Sequence, residues 1–251
     1  VRIRPLRSAA DYAACVELQQ RIWGPAAADT VPAIVLLVSQ EVGGIAAGAF
    51  EPHGRLLGCV FGLTGVRGRK LAHWSHLLAV RPEARDRGIG RRLKQYQRAR
   101  LLRLGVSTMY WTFDPLVARN AHLNLNRLGA RVESYVRDLY GPAGEGPLDR
   151  AIGTDRFIVR WDLRRAPPRP SALRHRGVIE IAIPPDIHAL RDADPRAAAH
   201  WRRATRAAFE RALRGEYDVV GFDPDAADPH YLLAPGRGRG QARGRGRGRG
   251  R

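Results

Sequence analysis

Long apolar runs are missing from this sequence. The longest, Ala33-Ile34-Val35-Leu36-Leu37-Val38, falls far short of the roughly 18 residues a membrane-spanning helix needs, so no membrane partner is expected. The start does not read as a signal peptide, because its first apolar helix carries Asp11 and Glu17, and the expected location is cytoplasmic. Cysteine is scarce. Cys15 and Cys59 sit in apolar patterns with no metal-ligand spacing, and they read as reduced core residues rather than a disulfide or a metal site. Lysine is nearly absent: of 43 basic side chains only Lys70 and Lys94 are not arginine. The terminal Gly-Arg run, residues 236–251, has no Phe or Tyr between its arginines to stack on bases.

What is present fits a soluble globular chain. With 251 residues and 44% hydrophobic content, it can bury a real core as one large domain or two small ones. The net charge is +19, of which seven arginines in residues 236–251 supply +7 with no acid to offset them, leaving +12 elsewhere. Such a surface favours anionic ligands, either a phosphorylated cofactor or nucleic acid.

Taken in order, residues 2–6 read as a short edge strand ended by Pro5. Ser8 with Asp11 resembles a capping box opening a helix that carries Tyr12, Cys15, Val16, Gln19, Ile22 and Trp23 on one stripe. A second helix, opened by Thr30 and Pro32, carries Ile34, Leu37, Val38 and Val42. Two strands spaced as a hairpin (45–51 and 56–65) precede a third at 71–80. A basic helix over 89–104 places Leu93, Tyr96, Leu101 and Leu104 on one side, and Arg91, Arg92, Lys94, Arg98, Arg100 and Arg103 on the others. Next come a strand at 107–113, a helix over 118–128 and strands at 132–139 and 156–163. Beyond a linker-like RRAPPRP stretch the pattern is β-α-β, with strands 177–183 and 217–222. The intervening helix buries Ala197, Trp201, Ala204, Ala208, Ala212 and Leu213. One helix and two strands are too little core to stand alone, so this piece should extend or cover the main sheet. The Gly-Arg run cannot bury enough surface to offset its ordering entropy and should be disordered.

The chain is organised around residues 71–104. They pass from an apolar strand, through a loop centred on Arg85-Asp86-Arg87-Gly88-Ile89-Gly90, into the basic helix. Unpaired N–H groups at a helix start lie at the positive end of its dipole and suit a phosphate. Glycine there lets a ligand approach the backbone.

This order of elements, with Arg85-x-x-Gly88-x-Gly90 between the fourth strand and a helix, resembles the GNAT superfamily of acetyl-CoA-dependent N-acetyltransferases. Leu78-Ala79-Val80-Arg81-Pro82, Asn120-Ala121 and Arg127-Leu128-Gly129 match the same pattern, and the resemblance covers residues 2–163. It implies an α/β (α+β) fold, a mixed and mostly antiparallel sheet flanked by helices. The expected domains are a GNAT-like acetyl-CoA-binding domain at 1–163, a linker at 164–176, a β-α-β extension packed on it at 177–235 and the tail at 236–251. The resemblance also implies that the backbone of Leu78, Ala79 and Val80 binds the pantetheine arm like an added strand. The N–H groups of Asp86, Arg87, Gly88, Ile89, Gly90 and Arg91 would cradle the pyrophosphate beside Arg85. Asn120 and Asn124 could bond the cofactor arm, the alternative being that Asn120 only helps fix the helix start. Trp111-Thr112-Phe113-Asp114-Pro115-Leu116 resembles runs in a poorly characterised GNAT subgroup with a comparable extension, from which no activity transfers.

Acetyl transfer to an amine needs a base for the ammonium proton and an acid for the departing thiolate. His76-Leu77-Leu78-Ala79-Val80 resembles the strand of the arylalkylamine N-acetyltransferase branch in which a histidine serves proton removal. His76 shares side-chain parity with Val80 whereas His73 does not, so His76 is the expected base or water-mediated relay; the alternative is a histidine bonded within the core. Many members carry a tyrosine acid where this chain has Leu125, so either another group replaces it, Tyr140 or Tyr135 with Tyr140 preferred, or the thiolate leaves unassisted. Asp114 at a strand end either anchors a substrate ammonium or caps the following turn. The expected partners are acetyl-CoA and an amine, with nucleic acid as an alternative through the Gly-Arg tail, and a homodimer is left open. A non-catalytic CoA-binding domain is a further alternative.

Overall fold

Pro5 closes the edge strand β1 (Arg2–Pro5), and the chain enters helix α1 (Ala9–Trp23) through a reciprocal cap. Ser8 Oγ accepts from the Asp11 N–H at 3.2 Å while the Asp11 carboxylate accepts from the Ser8 N–H at 3.3 Å. Arg4 donates to the same carboxylate at 2.6 Å, tying strand to helix. The structure is a computed structural model, and it describes residues 1–24, 30–141, 152–166, 177–226 and 228–236.

Helix α2 (Ala33–Glu41) leads into three antiparallel strands, β2 (Ile45–Phe50), β3 (Leu56–Arg67) and β4 (Lys70–Val80). Helix α3 (Ile89–Arg103), strand β5 (Thr108–Phe113), the single turn α4 (Ala118–Ala121) and strands β6 (Arg131–Val136) and β7 (Arg156–Asp162) complete the first unit. The strands form one seven-stranded sheet in the order β1-β2-β3-β4-β5-β7-β6, antiparallel except between β4 and β5. Every residue of β2 is buried because both faces are covered. Ala46 and Phe50 meet α1 and α2, while Ala47 and Ala49 join the core that includes Leu93 and Leu101 of α3.

In α2 the apolar side chains Ile34, Leu37 and Val38 are exposed, as is Val42 beyond its end, and Leu36 is the one turned inward. A helix apolar on all sides carries no periodicity from which its buried face could be read. The post-β5 helix is also shorter than its pattern suggests. After Ala121 it widens into a π-helical turn, His122–Arg127, in which the Leu128 N–H reaches back to the Leu123 carbonyl.

The C-terminal part holds more than the expected β-α-β. It has β8 (Ile179–Ala182), two helices α5 (Ile187–Ala193) and α6 (Pro195–Arg214), β9 (Tyr217–Asp223) and a further strand β10 (His230–Pro235), forming a separate sheet in the order β8-β10-β9. This sheet covers the main one rather than extending it. Tyr231 is fully buried, its ring 5.5 Å from Phe157 of β7 and 5.2 Å from Phe209 of α6, and its hydroxyl donates to the Pro115 carbonyl at 2.7 Å. Helix α6 buries Ala198, Arg202, Thr205, Phe209 and Ala212, whereas Ala204 of the predicted stripe is exposed. The stripe is displaced because Arg202 points inward, donating to the Ile152 carbonyl at 3.0 Å and to the Asp114 carboxylate at 2.5 Å. A hydropathy pattern cannot register a buried arginine whose charge is matched in space.

Breaking such a pair strands a buried carboxylate. Replacing Arg202 by Met is expected to destabilise the protein by about 3 kcal/mol, partly offset by Arg156 at 3.6 Å from the same oxygen. Urea unfolding of wild type and variant measures this directly.

Candidate active site

Strands β4 and β5 pair in parallel over two positions, His73 with Met109 and Trp74 with Tyr110, and then part. Beyond that point β4 continues to Val80, paired with β3 on one side through Leu77–Phe61, Leu78–Val60, Ala79–Cys59 and Val80–Gly58. Beyond Trp74 its other edge has no ladder partner among the described residues, while β5 stays paired with β7 on its far edge from Thr108 to Phe113. The result is a cleft in the sheet whose β4 wall offers free backbone donors and acceptors to an extended ligand.

At the mouth of this cleft the chain turns into α3. Asp86 (φ 59°) and Gly88 (φ 71°) both adopt the left-handed conformation, and Gly88 caps the helix with no side-chain bond. The first intrahelical bond is Arg92 N–H to the Gly88 carbonyl. The N–H groups of Ile89, Gly90 and Arg91 therefore have no backbone partner among the described residues. A Cβ on Gly90 would meet Leu78, Val80 and Leu123 at 3.7–3.9 Å, so its absence leaves a groove between β4 and the π-helical turn. Arg85 is half-buried, and its guanidinium is pushed below its ordinary range by burial and by the nearby Arg119. Two guanidiniums held close together against their mutual repulsion suit a polyanion.

The deep end of the cleft is polar and dry. Lys94, expected on the outer basic face of α3, is turned inward and 2% exposed. Its ammonium donates to Ser75 Oγ at 2.8 Å and lies 4.0 Å above the Trp111 ring. No carboxylate of the described residues is within ion-pairing distance, and burial brings this group down to about 7. Ser75 in turn donates to Gln97 Oε1 at 2.9 Å. The Gln97 amide N–H faces His73 Nε2 at 3.3 Å, which must accept; His73 Nδ1 then donates to Thr64 Oγ1 at 3.0 Å, and Thr64 to the Gly43 carbonyl at 2.7 Å. His73 is fully buried and held neutral, brought down to about 3 by desolvation and by Lys94. Across the cleft, Trp111 Nε1–H binds Asn124 Oδ1 of the π-helical turn at 3.2 Å. The chain of donors thus runs one way, outward from Lys94.

His76 is exposed and its ring stands edge-on to Phe61, on the side of the sheet that packs α1 and α2. It lies at a β-bulge, where three steps along β4 (Trp74 to Leu77) face two along β3 (Leu63 to Phe61). The bulge overturns the parity argument, because Leu78 and Val80 pack against the α3 core. On β5, Thr112 is level by count with His76, two residues past the last pair. Its hydroxyl is bonded to that of exposed Tyr140 at 2.9 Å. Tyr135 is not available as an acid. Its hydroxyl donates to Asp155, and burial beside that carboxylate pushes it up. Asp114 takes the turn-capping alternative. Oδ1 accepts from the Leu116 N–H at 2.8 Å and Oδ2 from Arg202, leaving the ammonium-anchor reading without support. Asn120 is half-buried at the start of the helical segment, and Leu125 is buried in the core. His122 is half-buried and bonds Asn126 and Arg127. Apart from Gly236, the Gly-Arg tail lies outside the described residues, as do residues 167–176 of the linker.

No family model matches the sequence, and no curated protein does. Solved structures do match. An aminoglycoside 6'-N-acetyltransferase complexed with coenzyme A superposes with a TM-score of 0.50 at 15% identity, covering 67% of this chain and 100% of that one. An aminoglycoside 6'-acetyltransferase type Ii gives 0.52 at 17% identity, covering 66% and 100%. The chain has the GNAT fold. The mixed, mostly antiparallel sheet flanked by helices is the architecture expected from the Arg85-x-x-Gly88-x-Gly90 pattern. Asn126 Nδ2 joins the C-terminal sheet to the main unit by donating to the Phe222 carbonyl at 2.8 Å. Among the described residues no helix is long and apolar enough to cross a membrane.

Sequence reasoning missed Lys94 and Arg119. One signal for Lys94 was present. In a chain that otherwise uses arginine, a lysine is the basic residue that can lose its proton when buried. Its burial has a cost that pH reveals. The folded state holds Lys94 at about 7 against an ordinary value near 10.4, so stability falls as pH drops from about 10 to about 7 and levels off below. Lys94→Met is expected to raise the thermal midpoint at pH 7, by the equivalent of about 1–4 kcal/mol, with the gain shrinking as pH is raised towards 10. Calorimetric melts across that range check both sign and shape.

Proposed function

We propose that this protein transfers an acetyl or other acyl group from coenzyme A to an amine. The observation that carries the reading is the open edge of β4 running into the free N-terminus of α3. It provides an extended track ending in a ring of unpaired N–H groups, matched in shape to a pantetheine arm and its pyrophosphate. Leu78, Ala79 and Val80 supply the track. Asp86 to Arg91 supply the amides, Gly90 the groove, and Arg85 with Arg119 the countercharge. Asn120, half-buried in the single turn α4, is a further candidate contact for the arm.

CoA supplies the activated acyl group; the chain supplies position and proton transfer. The acceptor enters from the α1–α2 side, where His76 and the Tyr140–Thr112 pair flank the opening. His76 removes the ammonium proton, directly or through water, because an imidazole titrates near neutrality. Tyr140 is the weaker acid candidate on that side and is better suited to holding the acceptor.

Isothermal titration is expected to show micromolar CoA binding. Arg85→Glu should weaken it about tenfold and Gly90→Val at least about tenfold, a loss of about 1.4 kcal/mol or more. Absence of binding by the wild type would overturn the reading. Thiol release from acetyl-CoA over a panel of amines then identifies the acceptor class. With the best acceptor, His76→Ala should lower kcat about 10²-fold while leaving CoA affinity in place.

A further inference from the structure

Acyl transfer from CoA, the reading on which any role for Lys94 in the reaction rests, leaves a gap. The helix after β5 has Leu125 where a proton donor to sulfur would stand, and Tyr135 is engaged by Asp155. We infer that Lys94 is the acid that protonates the departing CoA sulfur.

Four observations carry this. Lys94 Nζ is at the deep end of the β4–β5 cleft, between Ser75 on one wall and Trp111 on the other. It is 2% exposed with no carboxylate beside it, so nothing in the described structure fixes its proton permanently. Its one hydrogen-bond acceptor, Ser75 Oγ, has its own proton committed to Gln97. Ser75 can therefore accept from Lys94 whether that group is charged or neutral, and Nζ keeps its place as the proton leaves. Finally, Lys94 lies on the α3 side of the sheet while His76 lies on the α1–α2 side, so acid and base are separated and do not neutralise each other.

The charged and titratable surroundings are compatible. From β4, Lys94 faces His73, which is neutral. From α3 it faces Gln97, and from β5 it faces Trp111, whose indole N–H is taken by Asn124. An ammonium brought down to about 7 by burial is a stronger acid than a thiol at about 8.5, so transfer to a leaving thiolate runs downhill.

The step balances. The amine nitrogen bonds to the acyl carbon, the carbon–sulfur bond breaks and sulfur keeps the electron pair. One proton passes from Lys94 to that sulfur, leaving CoA as a thiol and Lys94 as a neutral amine. The acceptor loses two protons, one from its ammonium before attack and one from the nitrogen once the new bond has formed; both go through His76 to water, and Lys94 regains one from water after CoA departs.

The test uses the full chain with CoA and two variants, Lys94→Met and Lys94→Arg; the first is expected to be at least as stable as wild type. With only two lysines in the chain, Lys94 Nζ is titrated directly by NMR of lysine-labelled protein, the missing signal in Lys94→Met giving the assignment. With CoA bound, Lys94 should lose its proton at lower pH than the CoA thiol, and its titration should move when CoA binds. With the best amine, kcat should fall about 10²-fold in both variants and lose its descending alkaline limb, Lys94→Arg keeping the charge but having no proton to give. A lysine with only a structural role would move stability but leave its own titration insensitive to CoA and the alkaline limb of kcat in place in both variants, which overturns the assignment. If CoA is bound and turned over with an unaltered pH profile in Lys94→Met, the Lys94 assignment alone falls. If CoA is not bound by the wild type, the acyltransferase reading falls and takes this one with it.

Discussion

Two parallel strands that pair over only two residues and then separate impose an obligation on everything around them. Backbone donors and acceptors at a cleft edge must find partners in water, in a ligand or in neighbouring side chains. Here the β4 edge from Leu77 to Val80 has no ladder partner towards β5 among the described residues. A bulge in β4 bends the strand at the point of parting. The side chains of Ser75, Lys94 and Trp111 wedge the base of the cleft with polar contacts that a re-paired ladder would have to displace. The cleft is therefore a built feature, held open by packing on the α3 side and bounded by ring and hydroxyl contacts on the other.

That wedge is costly in isolation. A lysine without a countercharge, a fully buried histidine and a buried glutamine would each be expensive to desolvate alone. They are tolerated because every hydrogen bond in the series from Lys94 through Ser75, Gln97, His73 and Thr64 to Gly43 points the same way, so each group polarises the next. Gly62 is part of the same arrangement: a Cβ there would collide with the His73 ring at Nε2. The C-terminal unit meets a related requirement at the other end of β5. Asp114 caps its turn and takes Arg202, Tyr231 binds the next carbonyl, and Asn126 reaches β9. The wall formed by β5 and the π-helical turn is thereby fixed from behind by residues distant in sequence.

Much of this was legible in the chain. The cap at Ser8 and Asp11 and the strand–loop–helix passage around Arg85 to Gly90 are local, and local chemistry is written in adjacent residues. The misreadings share one cause. The buried stripe of α6, Lys94 and the exposed face of α2 were assigned by hydropathy, which assumes that charge points outward and apolar groups inward. Two cations are buried because partners far along the chain receive them, and α2 is apolar on all sides, so the assumption had nothing to discriminate. The parity of His76 failed for a similar reason, since a bulge is set by the partner strand and leaves no mark on alternation. Strand β10 escaped notice because a six-residue run between prolines is a strand only once β8 and β9 stand on either side of it.

The sequence by itself determined the order of elements as far as β7, the two glycines at the start of α3, the surplus of positive charge around them and the absence of a tyrosine at Leu125. These are properties of near neighbours, fixed by backbone conformation and by side-chain type. The tertiary structure decided that β4 and β5 part, that Lys94 turns into the gap, that Asp114 serves Arg202 rather than a ligand, and that His76 and Lys94 lie on opposite sides of the sheet. Each of these depends on which distant residue supplies a partner for a buried polar group, and desolvation makes that choice only when the chain has closed on itself.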